Sequence, residues 1–202
     1  MNYTDLFERI LYKVDQDSYL ASIRPLDPGQ HTALREIEQL RTTAGVSAEQ
    51  VGAYIDRCYS TGRLSRTLYF SAKHVLAASP AVQDYSAAAR LAAEQEMAAL
   101  EEGGARLQAN LASVERHRGV LAFLQGHYGV ALDYFSRAFE REHNAMNLSN
   151  VLATLIRLGD PDEALALLRQ VRGSLPAALV DELDVLIVSD PDLALLRAEV
   201  TP

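Results

Sequence analysis

The sequence GVLAFLQGHYGVALDYFSRA, residues 119–138, decides the fold. Apolar residues recur at three- and four-residue steps on both sides of Gly126, so the stretch predicts two helices joined by a tight turn. Gly119 and Ala131 are small, whereas Phe135 is large. A small residue at a helix crossing lets two backbones approach, and a large one supplies apolar area to bury. The stretch therefore predicts a closely packed helical hairpin.

A second hairpin of similar length follows the first. Gly159 separates two helical segments, at about residues 145–158 and 161–171, much as Gly126 separates a helix ending near residue 125 from one at about 127–141. Asp160 and Pro161 predict the start of the last of these helices, with an N-cap and a proline at its first position. Repetition of such a unit is typical of helical-repeat proteins.

The rest of the chain also has helical periodicity, broken where Pro, Gly and short polar residues gather. Ser47 and Gln50 form a capping box that starts one helix, and Ser79-Pro80 predicts the start of another. Gly103-Gly104 predicts a helix end, and the segment 24–29 predicts a loop. The further predicted helices lie at about residues 4–18, 30–43, 47–59, 64–78, 81–102 and 176–188, with a short turn at 190–196. The fold class is therefore all-α.

Residues 111–176 resemble two tandem tetratricopeptide repeats, in which small residues mark the helix crossings and large ones fill the gaps. The matching residues of the first repeat are Gly119, Gly126, Tyr128, Ala131, Phe135 and Ala138; those of the second are Gly159, Ala164, Leu168 and Pro176. Leu152 and Val171 depart from the family's small positions. The resemblance implies antiparallel helix-turn-helix pairs, stacked as a short solenoid with additional N-terminal helices.

Four regions follow from these patterns. Residues 1–80 form an N-terminal helical region with one degenerate repeat-like pair, and residues 81–110 an Ala-rich connecting helix. Residues 111–176 form the two repeats, and residues 177–202 a C-terminal capping helix and tail.

The resemblance also implies a groove, lined by the first helix of each repeat, that binds a peptide segment or helix of another protein. The implied lining residues are Arg116, Val120, Phe123 and Leu124 in the first repeat, and Ser149, Asn150, Ala153, Ile156 and Arg157 in the second. Arg116 and Arg157 are expected to pair with carboxylates of the partner. Asn150 matches one asparagine of the chaperone-binding members. Val120 stands where another is expected, which disfavours capture of a peptide's C-terminal carboxylate.

Composition excludes several classes of function. The chain has 27 acidic and 19 basic residues and a formal charge of −8, without the basic stripe that a nucleic-acid partner requires. No secretory signal and no apolar run of about 20 residues is present, so we expect no membrane insertion. A single cysteine, Cys58, excludes an internal disulfide and favours the cytoplasm, with the thiol buried as a small apolar residue. The preference for Arg over Lys and for Ala indicates a GC-rich bacterial genome.

No pattern of catalytic or metal-binding residues is present. None of the five histidines has a second His or a Cys at the spacing that would place two ligands on one helix face. Gly103-Gly104 lacks the lysine of a phosphate-binding loop. The sequence therefore predicts no metal, no cofactor and no enzyme. Glu94, Glu96, Glu101 and Glu102 form a carboxylate cluster expected on a solvated face, with the last two unfavourably placed at the negative end of a helix dipole.

The leading hypothesis is a scaffold or adaptor that binds a partner segment in a groove. The alternatives are a self-associating structural protein, whose helix at 81–102 packs on its copy in a homo-oligomer, and a secretion or assembly chaperone. A helical sensor of a small molecule or peptide would need convergent polar groups in a pocket, and the sequence shows none.

Overall fold

A computed structural model describes residues 26–200, and this part of the chain is all-α, without strands. The predicted fold class is confirmed, whereas the predicted helix at 4–18 lies outside the described residues. The helices are α1 Pro28–Thr42, α2 Ala48–Ser60, α3 Arg66–Ala78, α4 Tyr85–Glu102, α5 Leu107–Leu124, α6 Tyr128–Arg141, α7 Ala145–Leu158, α8 Pro161–Arg172 and α9 Ala177–Ser189, followed by a 3-10 helix, Pro191–Glu199. Among these residues, no helix combines the length and apolar character needed to cross a bilayer.

The described residues form two compact units, 26–121 and 122–200. The boundary lies inside α5, between Leu121 and Ala122. The predicted repeat region at 111–176 therefore contains residues of both units, with Gly119 in the first and Ala131 in the second. Both residues are buried. The predicted crossing between their helices stays a prediction.

The first unit is built from helices that pack on their sequence neighbours: α1 on α2, α2 on α3, and α3 on α4. Apolar side chains of its first three helices and the loop after α2 form one buried cluster, consisting of Ala33, Ile37, Val51, Ile55, Cys58, Leu64 and Ala72. The predicted burial of Cys58 is confirmed.

Local capping decides where these helices begin. The Ser47 hydroxyl accepts from the Gln50 N–H at 3.2 Å, and the Gln50 side chain accepts from the Ser47 N–H at 2.8 Å, which confirms the capping box. The predicted helix start at Ser79-Pro80 is wrong. The Ser79 hydroxyl instead donates to the Leu76 carbonyl at 2.7 Å and closes α3. Asp84 starts α4, because its carboxylate accepts from the Ala87 N–H at 2.8 Å.

The acidic end of α4 contacts the start of α3. A Glu102 oxygen accepts from the Thr67 N–H at 3.0 Å, and Glu101 pairs with Arg66. The first N–H groups of a helix have no partner within that helix, so the Glu102 carboxylate satisfies one of them. This contact gives a reason for two glutamates at a helix end where the dipole disfavours them.

The second unit is organised around α7, which packs against α6, α8, α9 and the 3-10 helix. Most of α7 is consequently buried, including Leu148, Leu152 and Leu155. The helix ends at Gly159, whose φ of 89° is a left-handed conformation that favours glycine. Leu152 stands at a position where the resembled family has a small residue, yet it is fully buried in this unit.

Candidate binding surface

Helix α7 keeps one strip that the surrounding helices leave open. Met146 is exposed, Asn150 and Ile156 are half-buried, and Arg157 is exposed. Met146, Asn150 and Arg157 are separated by steps of four and seven residues, which return to one side of a helix, and Ile156 lies at the edge of this strip. The strip coincides with the face that the family resemblance implies for a groove, and Met146 is an addition to the predicted set.

The predicted groove residues of α7 differ in how much surface they offer. Ser149 is buried, and its hydroxyl donates to the Met146 carbonyl at 2.9 Å. Ala153 is also buried. Arg157 pairs with Asp192 of the 3-10 helix, so its charge already has a partner within the unit. The surface of this strip that remains for a ligand is therefore mainly that of Met146, Asn150 and Ile156.

The predicted groove residues of α5 are divided between the two units. Arg116 and Val120 belong to the first unit and are half-buried, and the Arg116 guanidinium donates to the Ser113 hydroxyl at 3.3 Å. Phe123 and Leu124 belong to the second unit. The Phe123 ring lies edge-on to Tyr128, with centroids 5.2 Å apart, and Leu124 is exposed at the helix end.

The apolar side chains of the second unit with the highest exposed fractions lie on α9 and the 3-10 helix. Helix α9 buries Leu179, Leu183 and Ile187 on one side, whereas Val185 is 67% exposed and Val188 55% exposed. We call Asp181, Glu182, Val185 and Val188 the α9 outer face. Leu195 of the 3-10 helix, which packs on α9, is also exposed.

A terminal helix of a repeat stack normally has a polar outer side. The family resemblance implies such a capping role for residues 177–202, yet the α9 outer face exposes two valines. The spacing of Asp181, Val185 and Val188 is visible in the sequence. The exposure of the two valines cannot be predicted from the sequence, because α9 has apolar residues on both sides and the sequence does not show which side its neighbours cover.

The charged residues within α9 and the turn after it are all acidic. From Ala177 to Asp192 the chain has five acidic residues and no basic one. Two of these acids are neutralised, since Asp184 pairs with Arg172 and Asp192 with Arg157. Asp181 and Glu182 are exposed, and no ion pair joins either of them to another residue of the described part. The α9 outer face thus combines exposed apolar side chains with uncompensated negative charge.

The first unit contains a cavity of about 250 Å³ near the start of α3. Its lining includes Ser65, Leu68, Glu102 and Asn110. Ligand pockets are usually larger, about 300–1,000 Å³. Glu102 is already engaged by the Thr67 N–H, so this carboxylate acts in the structure as a helix cap. Within residues 26–200, no three His, Cys, Asp or Glu side chains are grouped to hold a metal ion.

Comparison with known proteins gives no relative from which to transfer a function: no family model, no curated protein and no solved structure matches the chain.

Proposed function

We propose that this protein is a non-catalytic interaction module that binds an amphipathic helix of another protein across the α9 outer face. The observation that carries the proposal is the exposure of Val185 and Val188 on a helix whose opposite side is fully buried. A contiguous exposed apolar patch on a globular protein commonly marks a site of protein–protein contact. We place the protein in the cytoplasm, in line with its single, buried and unpaired Cys58.

The charges of the α9 outer face specify the partner's chemistry. Asp181 and Glu182 flank the valines, so a helix with Leu, Ile or Met on one side and Lys or Arg at the edges would be complementary. Its affinity should fall as salt is added, because exposed ion pairs are screened over about 10 Å at 0.1 M ionic strength. An acidic helix of equal hydrophobicity should bind more weakly.

The α7 strip is the alternative location for the same function. The family resemblance implies binding in a groove there, and the exposed Met146 supports it. Two features favour α9: its valines have more exposed area than the half-buried Ile156, and Arg157 is already paired with Asp192. Substitutions at Met146 and at Val185 distinguish the two locations.

A selection from a random peptide library displayed on phage tests the proposal, and it does not require the natural partner to be identified first. The full-length protein is immobilised, and the recovered peptides are synthesised and measured by fluorescence anisotropy. We expect them to be basic and apolar with helical spacing. Introducing Val185→Asp together with Val188→Asp should weaken binding at least about tenfold, because aspartate places charge in the apolar contact.

Val130→Asp is the matched control for this experiment. Val130 is a valine of the same unit, on α6, and is 53% exposed. The Val130→Asp substitution should leave the affinity for the selected peptides within about twofold of the wild-type value. Circular dichroism should show that every variant folds. Loss of binding with Met146→Asp but not with the α9 variants would place the site on α7. Recovery of no binding peptide, or of acidic peptides, would overturn the proposal.

A further inference from the structure

Helix α4 of the first unit has an exposed apolar side that the proposed function does not use. Its buried side consists of Ala88, Ala92, Gln95, Ala98 and Ala99. On the opposite side Ala89, Ala93, Met97 and Leu100 are all exposed, Met97 by 47% and Leu100 by 59%. Steps of three and four residues join these positions, so they share one stripe of the helix.

The stripe is divided by size along the helix. Its first half has the small residues Ala89 and Ala93, and its second half the large residues Met97 and Leu100. In an antiparallel pair of identical helices centred near residue 95, Met97 lies opposite Ala93 and Leu100 opposite Ala89. Large side chains then pack over small ones, as a well-filled interface requires. A parallel pair would instead place Met97 against Met97 and leave the alanines facing a gap.

The charges beside the stripe favour the same direction. The Arg90 guanidinium donates to the Ser86 hydroxyl at 3.1 Å, and no ion pair joins Arg90 to another residue within 26–200. Glu101, at the other end, pairs with Arg66 yet keeps 64% of its side chain exposed. Arg90 and Glu101 lie on the same edge of the stripe, so antiparallel pairing brings Arg90 of one copy close to Glu101 of the other.

We propose that the α4 stripe is a two-fold symmetric contact between two copies of this chain, with the α4 helices antiparallel. Such a contact uses the same patch on both copies, and the size and charge gradients along α4 are self-complementary in that arrangement. The proposal is independent of the α9 outer face, which lies in the other unit.

Sedimentation of the full-length protein gives the first test. We expect a monomer–dimer equilibrium between about 5 and 200 µM, because a short helix contact gives a modest affinity. Met97→Asp with Leu100→Asp should weaken dimerisation at least about tenfold. Val75→Asp is the control, since Val75 is also exposed on a helix of the same unit, α3, and should leave dimerisation unchanged.

Cysteine crosslinking tests the direction of the helices. One chain carries Ala89→Cys and another Leu100→Cys; the native Cys58 is buried and does not compete. Antiparallel packing puts these two positions opposite each other, within the Cα separation of about 4.4–6.8 Å that a disulfide needs. Residue 89 of one copy is then on the order of 15 Å from residue 89 of the other along the helix axis, and the same holds for residue 100. The mixture should therefore crosslink under mild oxidation, and each single variant alone should not.

Three results would overturn the α4 contact. They are a monomer at all concentrations, a dimer insensitive to Met97→Asp with Leu100→Asp, and crosslinking of the single variants instead of the mixture. The peptide selection addresses α9 with different variants. A failure of the α4 contact therefore leaves the α9 result unaffected, and the reverse also holds.

Discussion

The imidazole rings of His74 and His117 stack in the interior of the first unit, with centroids 4.1 Å apart and planes 13° from parallel. Both side chains are buried. His74 Nδ1 lies 2.9 Å from the Ala88 carbonyl, which can only accept, so this nitrogen carries a proton and donates. His117 Nδ1 lies 2.8 Å from Gln95 Oε1, and the Gln95 amide donates to the Ser113 hydroxyl at 3.2 Å. Each ring therefore has its Nδ1 within hydrogen-bond distance of an oxygen from helix α4.

This arrangement makes stability depend on pH. Burial lowers the pKa of His74, and burial lowers the pKa of His117 well below its usual value, with the charges of His74 and Arg116 adding to the effect. Because these pKa values are lower in the folded state, the unfolded chain takes up protons first as the pH falls. Stability is therefore full above about pH 6.5 and declines below it, by up to about 1.4 kcal/mol per pH unit for each histidine. Urea denaturation between about pH 7.5 and 5 measures this slope on either side of the ordinary histidine pKa.

Replacing His74 and His117 should remove much of the pH dependence of the free energy of unfolding. His74→Asn with His117→Asn lowers stability at neutral pH but should flatten its pH dependence, because asparagine does not titrate. His127→Asn is the control, since His127 is exposed at the start of α6 and should leave the slope unchanged. An equal slope in wild type and in the doubly substituted protein would contradict a role for the stacked pair.

Glu102→Ala should destabilise the protein by about 1 kcal/mol, because the Thr67 N–H loses its acceptor at the start of α3. Glu182→Ala, an exposed change within a helix, should stay within about 0.5 kcal/mol. Thermal unfolding followed by circular dichroism compares the two. Equal melting curves for Glu102→Ala and wild type would show that the capping contact contributes nothing.

Asn147 connects the end of α6 to the start of α7 through its buried side chain. Its amide donates to the Glu142 carbonyl at 2.9 Å and to the Ala138 carbonyl at 3.3 Å. Asn147→Ala should cost about 1–3 kcal/mol, since it leaves these carbonyls without that donor. Asn150→Ala, on the open strip of the same helix, should be nearly neutral. Chemical denaturation measures the free energy of unfolding of both variants. A similar loss of stability at the two positions would contradict the assigned hydrogen bonds of Asn147.

Leu152→Ala should cost about 2–5 kcal/mol through the cavity it leaves, because Leu152 is fully buried. If Leu152 merely occupied a place suited to a small residue, alanine would be tolerated. Leu195→Ala removes the same atoms from an exposed leucine and should change stability by less than about 0.5 kcal/mol. Denaturant midpoints of the two variants distinguish these possibilities.

Helix periodicity and capping residues predict most of the described helices to within two residues. The predicted helix at 145–158 is α7 in the structure, and the capping box at Ser47 predicts the start of α2. The predicted start of α4 at Ser79-Pro80 is wrong because this pair has the composition of an N-cap, although it ends α3 in the structure. The competing bond from Ser79 to Leu76 depends on the turn that α3 makes at its end.

The candidate surfaces depend on information that periodicity does not contain. Helix α9 has apolar residues on two sides, and only the packing of α7 and the 3-10 helix decides that Leu183 is buried and Val185 exposed. The stacked histidines likewise come from different helices, distant in sequence. A pattern along one helix cannot show which partner will cover it.

An NMR titration of the full-length protein with a peptide recovered from the selection tests the α9 outer face most directly. Amide signals of Asp181, Glu182, Val185 and Val188 should shift progressively and saturate with the affinity measured by anisotropy, and those of Val130 and its neighbours on α6 should stay in place. Saturable binding that shifts signals elsewhere and leaves these four unmoved would contradict the account.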